Sequence, residues 1–193
     1  MSQFTQISFS DAVKKVQSLA GSRTAMQRLA EHPNKRDRLS DDIMEFVRAR
    51  TSAYIATASA SGQPYIQHRG GDAGFLKVVN DTTIMISERP GNRQYITQGN
   101  LDENPNAMLF LMDYANRRRV KIWGEAFISF DQNLNTIMDG PDDRTPRPVI
   151  VFKVKAWDEN CPKHIPRLYG EDVIKGLADR IQDLEMGMVT MGS

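Results

Sequence analysis

A single cysteine, Cys161, stands among 193 residues. No disulfide can form within the chain, and a reducing compartment is the simpler setting. Long apolar runs are also missing. No stretch nears the ~20 residues that span a bilayer, and the opening MSQFTQISFSDAVKK lacks the continuous apolar core of a secretory signal. The expectation is a cytoplasmic protein with no membrane partner. An excess of either charge is absent too: 25 Lys and Arg stand against 24 Asp and Glu, a formal net charge of +1. Bulk electrostatics therefore give no drive toward nucleic acid, and any anion site must be a local arrangement of groups.

Hydrophobic residues make up 40% of the chain and charged residues 25%, as in one globular domain with modest extensions. The first fifty residues have helical character. Ser10 or Ser8 can cap a segment with apolar residues at Ala12, Val13, Val16, Leu19 and Ala20, stopped by Gly21. A short helix over Ser22–Ala30 precedes a better punctuated one. There Ser40 is the N-cap, Asp41 and Asp42 sit at the positive end of the dipole, and Leu39 can staple against Met44. Ile43, Phe46 and Val47 form its buried stripe.

From Thr51 the period changes to two. Strands are expected over Ser52–Thr57, Pro64–His68, Phe75–Val79, Thr82–Ser87, Ala107–Met112, Arg118–Phe130 and Pro148–Trp157. Asn80-Asp81 reads as a two-residue hairpin. An amphipathic helix is expected from Glu171 to about Leu184. Hairpin-linked strands at this spacing imply a mainly β fold with peripheral helices, a barrel or sandwich. The expected organisation is an N-terminal helical extension over 1–50, a barrel over 51–160, and a C-terminal loop and helix over 161–193.

The most informative stretch runs from Ser87 to Asn100. Pro90-Gly91 suits a type II turn, Asn92 can N-cap a short helix, and Gly99 can end it. With Arg93 in the first turn, free N–H groups and a guanidinium would converge as a phosphate monoester requires. The competing reading is an ordinary strand-to-helix turn with a solvated arginine. Upstream, Arg69 follows one strand and Lys77 sits inside the next, on a solvated face or in a ligand site. Gly70–Gly74 between them could let backbone approach a ligand.

Arg117-Arg118-Arg119 opens the long strand. Its Arg119, Lys121, Trp123, Glu125 and Phe127 share one face, suited to a ligand wall or subunit interface. A basic run beside aromatics could also bind RNA, but the balanced charge argues against it. Near the C-terminus, Cys161 and His164 have the spacing of two metal ligands with no second pair, so no metal is expected. His68 and His164 are the candidate proton donors.

Together these pieces resemble the pyridoxamine 5′-phosphate oxidase-related FMN-binding split-barrel family. The matching text is Tyr54–Ala58 with Ser61–Pro64, His68–Gly71, Gly74–Lys77, Gly91–Gln94, Gly99–Leu101, Asn104-Pro105, and Arg118–Val120 through Gly124–Ala126. The resemblance implies a six-stranded antiparallel split β-barrel that dimerises, with FMN at the subunit interface. By it, Arg69 and Lys77 hold the phosphate or ribityl region, Ser87 makes contacts at a strand end, Asn92 and Arg93 form the phosphate turn, and Arg119 reaches the ring edge. Cys161 and His164 lie in a loop that could cover the flavin of the neighbouring subunit; packing and metal binding are the other readings of that loop. The C-terminal pattern that holds pyridoxamine phosphate is not matched. The implied function is that of an FMN-dependent oxidoreductase acting on an unidentified small molecule; the alternative is a flavin- or haem-binding protein without turnover.

Overall fold

The structure, a computed structural model, describes residues 3–31, 35–89, 91–139 and 147–191. Helices α1 (Gln3–Ser8), α2 (Asp11–Leu19) and α3 (Arg23–Glu31), a 3₁₀ turn at Lys35–Asp37 and α4 (Asp41–Arg48) precede the sheet. Strands β1 (Ser52–Ala58), β2 (Pro64–Gly70), β3 (Leu76–Asn80) and β4 (Thr83–Ser87) follow, then α5 (Ile96–Glu103). Strands β5 (Asn106–Asp113) and β6 (Arg118–Ser129), α6 (Gln132–Asp139), β7 (Val149–Glu159) and α7 (Glu171–Met191) complete the order.

All seven strands join one antiparallel sheet in the order β2-β1-β5-β6-β7-β4-β3. The six-strand count implied by the resemblance is therefore corrected to seven, because each alternating segment finds a ladder partner. No pairing joins β2 to β3, so the sheet is not closed by hydrogen bonds among the described residues. Its inner face gathers Ile55, Leu109, Leu111, Val120, Ile122, Ile84, Ile150 and Phe152 into one core.

Helix α4 plugs this core. Ser40 caps it by accepting from Ile43 N, and Ile43, Phe46 and Val47 are buried, as the sequence pattern requires. Arg50, at its C-terminal end, donates to the carbonyls of Phe46 and Met112 and pairs with Asp113, tying the helix to β5. Arg118 donates to Glu159 and Asp42, a second tie between helix and sheet. The expected stripe on α2 is not buried: Ser10 caps the helix, but Val16 and Leu19 are exposed and Gln17 faces inward. An unforeseen helix, α6, covers the outer side of β4, where Met138 packs with Met85, Val149 and Val151. The β3–β4 turn lies one residue later than expected. The Asn80 side chain accepts from Thr82 N, which moves the turn to Asp81-Thr82.

Candidate active site

The two edge strands face one another across a cleft of about 400 Å³. Gln67, His68, Arg69 and Gly70 of β2 line one side; Lys77 of β3, Ser87 of β4 and Arg89 line the other, and the buried Met138 of α6 also lines it. The cleft lies between the two ends of the sheet, where β2 and β3 do not pair.

The loop joining β2 to β3 holds the edges in place. Gly71 N donates to Thr51 O and Gly74 N to Arg48 O, which anchors the loop near the end of α4. Gly74 has a φ of +91°, and a Cβ on Gly71 would lie 2.8 Å from Phe75 Cβ. These glycines permit a tight fold of the loop itself.

Arg69 bridges the split. Its Nη1 lies 3.0 Å from Glu88 Oε1, and its Nη2 lies 2.8 Å from Glu88 Oε2 and 3.1 Å from Gln67 Oε1. Gln67 Oε1 also accepts from Thr97 Oγ1 at 2.7 Å, so α5 is wired into the same network. The Arg69 side chain is only 10% exposed, and its Nε is buried without a hydrogen-bond acceptor among the described residues. Lys77 and Arg89 line the cleft and make no ion pair among the described residues. His68 donates to or accepts from Ser52 Oγ at 2.9 Å and packs edge-on against Tyr54.

Of the residues singled out in the sequence, the cleft brings together His68, Arg69, Lys77 and Ser87. Asn92 and Arg93 stand just beyond Gly91, which lines it. Their local geometry differs from the expected one. The helix begins at Ile96, because Arg93 and Tyr95 adopt left-handed backbone at φ +59° and +53°. Asn92 accepts from Gln94 N in a local turn and does not cap the helix, and Gly99 lies inside α5, which runs on to Glu103. Pro90, half of the expected type II turn, lies outside the described residues. Arg119, Cys161 and His164 do not line the cleft of their own chain. Cys161 and His164 are exposed, and the Arg119 Nε is buried without a hydrogen-bond partner among the described residues. No cluster of three or more metal-ligating side chains occurs among the described residues.

Sequence reasoning missed Gln67, Glu88 and Arg89. Gln67 alternates with Arg69 on one face of β2, a signal that period two could have supplied. Glu88-Arg89 follows Ser87 directly, but the pairing of Glu88 with a residue 19 positions away is a tertiary fact.

The family model described as pyridoxamine 5′-phosphate oxidase matches residues 39–161, from the start of α4 to the end of β7. The chain belongs to this family. The family segment thus contains both edges of the cleft and the Arg69–Glu88 bridge. No curated protein matches by sequence. Among solved structures, HupZ of Group A Streptococcus is 17% identical, with a TM-score of 0.51 over 68% of this chain and 100% of that one. A candidate pyridoxamine 5′-phosphate oxidase of Lactobacillus delbrueckii is 14% identical, with a TM-score of 0.51 over 64% and 96%. At these identities the likeness is one of fold. No helix among the described residues is long and apolar enough to cross a membrane.

Proposed function

We propose that this member of the pyridoxamine 5′-phosphate oxidase family is an FMN-dependent oxidoreductase that works as a homodimer on a small molecule. The observation that carries the reading is the cleft's surplus of cationic donors: among the described residues Lys77 and Arg89 make no ion pair, and Arg69 Nε is buried with no acceptor. A phosphate dianion satisfies such donors with charge-assisted hydrogen bonds. The residues present therefore fit the group.

In this reading Lys77 and Arg89 hold the phosphate. Ser87 stands at the strand end beside it, and Asn92 and Arg93 close the outer side of the turn. Arg69, already neutralised by Glu88, orients through its remaining N–H. Bound there, FMN would supply reversible redox chemistry toward an organic substrate. His68, held by Ser52, is the proton donor to test at the cleft. Arg119, Cys161 and His164, remote from the cleft of their own chain, would serve the site of a partner subunit. The outward row Ile66, Ala56, Met108 and Trp123, in register across β2, β1, β5 and β6, supports a subunit contact.

The test is an absorption titration of the purified protein with FMN and, separately, riboflavin. Flavin bands that survive desalting and a preference for FMN over riboflavin are expected. Lys77→Ala and Arg89→Ala should each weaken FMN by about ten- to a hundredfold while leaving riboflavin unchanged. A protein that stays colourless in excess FMN would refute the proposal.

A further inference from the structure

Helix α7 is long and gives no side chain to the core clusters of the described residues. It spans 21 residues, and every one of its described side chains is exposed. Yet Ile174, Leu177, Ile181 and Leu184 are 54, 57, 57 and 62% exposed. Four large aliphatic side chains along one helix stripe leave in water an apolar surface that a partner would remove from it.

Their spacing is specific. Steps of three, four and three residues place isoleucine at both a positions and leucine at both d positions of two heptads, and the sequence continues the same steps to methionines at 188 and 191. A stripe repeating every 3.5 residues is the seam of a coiled coil, narrower than the face of a helix that packs on a globular core. Isoleucine at a with leucine at d favours two parallel strands. In the same register the sequence has an arginine at g position 180 and a glutamate at the following e position, 185. Those are the positions at which opposite charges meet between parallel helices. A lipid surface is a poorer partner. Interfacial helices carry Lys and Arg on their polar face, whereas residues 171–185 hold two basic residues, Lys175 and Arg180, against five acidic ones, Glu171, Asp172, Asp179, Asp183 and Glu185.

We infer that α7 is a dimerisation helix, pairing in parallel with α7 of a second copy of this chain as a short two-stranded coiled coil. From residue 174 to 191 the seam is about 27 Å long at 1.5 Å per residue. With Gly176 inside the helix, it is marginal as an isolated peptide. A second contact between the same two chains would raise the effective concentration of the two helices and let a short coil hold. The inference needs neither bound flavin nor the sheet-face contact.

The decisive experiment uses the full chain in a Cys161→Ser background. Leu177→Cys, at a d position, should oxidise to a disulfide-linked pair. Lys175→Cys, at an outer b position, should remain largely unlinked under the same conditions. By sedimentation equilibrium, Arg180→Glu should raise the dimer dissociation constant about tenfold, and adding Glu185→Arg should restore it. Equal linking at 175 and 177, no linking at either, or a charge swap that fails to restore affinity would overturn the coil. A chain that sediments as a dimer without linking at 177 would overturn the coil and leave the sheet-face dimer standing. Linking at 177 that persists in an Ile66→Glu variant would support the coil on its own.

Discussion

Asp113 shows how much a single carboxylate organises. It ends β5, accepts from the backbone N and side-chain Nδ2 of Asn116, and pairs with Arg50 at 2.9 Å. Burial alone would raise its pKa, but the Asn116 hydrogen bonds and the Arg50 guanidinium outweigh burial and hold the carboxyl below the ordinary aspartate value of 3.8. A depressed folded pKa contributes stability that is complete above the unfolded value and is lost as pH falls through the folded one. Asp113→Asn should therefore destabilise the chain by about 1 kcal/mol at neutral pH. The gap between variant and parent should close at pH values below 3.8. Thermal melts across pH check the sign; a gap that widens in acid would show that Asp113 is not the stabilising ion. At this scale the sequence was a partial guide. The strands on either side of this turn were legible from their alternation, but the Arg50 partnership, 63 residues away, was not.

Among the elements, β6 and β7 make the tightest join. The ladder shifts register between Trp123 and Gly124, and a Cβ on Gly124 would stand 2.1 Å from Lys153 O and 2.7 Å from Phe152 Cε1. Neither neighbour can yield, since one is backbone in the partner strand and the other is a fully buried ring. Gly124→Ala should cost about 3 kcal/mol or more, read as a lowered denaturant midpoint. Gly99→Ala, which meets nothing within 4 Å, serves as the control and should leave the midpoint unchanged or raised. Elements with strong local signals were legible: α4 from Ser40 and its buried triplet, and the strands from their alternation. The start of α5 was misread because left-handed backbone at Arg93 and Tyr95, both non-glycine, has no compositional mark. Helix α6 was missed although Asp131 accepts from Asn133 N just ahead of it, because its burial depends on where β4 lies.

At the scale of the whole molecule, the sheet has one face filled by core and α4 and another left partly open. Outward from the core, Ile66 is 61% exposed, and its row reaches Ala56, Met108 and Trp123. If this face joins subunits, Ile66→Glu should shift the chain toward monomer in light scattering and lower flavin retention together, with little change in Tm. Loss of flavin without a change in mass would place Ile66 in the site and not in a contact. The seven strands were legible individually, but their order was not. Period two tells which residues share a face, whereas the crossover from β4 through α5 to β5 is decided by long-range packing.

Both tryptophans of the chain lie against its first forty residues. The Trp123 ring packs 5.4 Å from Phe4, and the Trp157 indole N–H donates to Arg38 O with Arg36 above its ring. Intrinsic fluorescence is therefore a local gauge. Its red shift during denaturation would time the release of the leading helices from the sheet, while far-ultraviolet dichroism would follow the strands themselves.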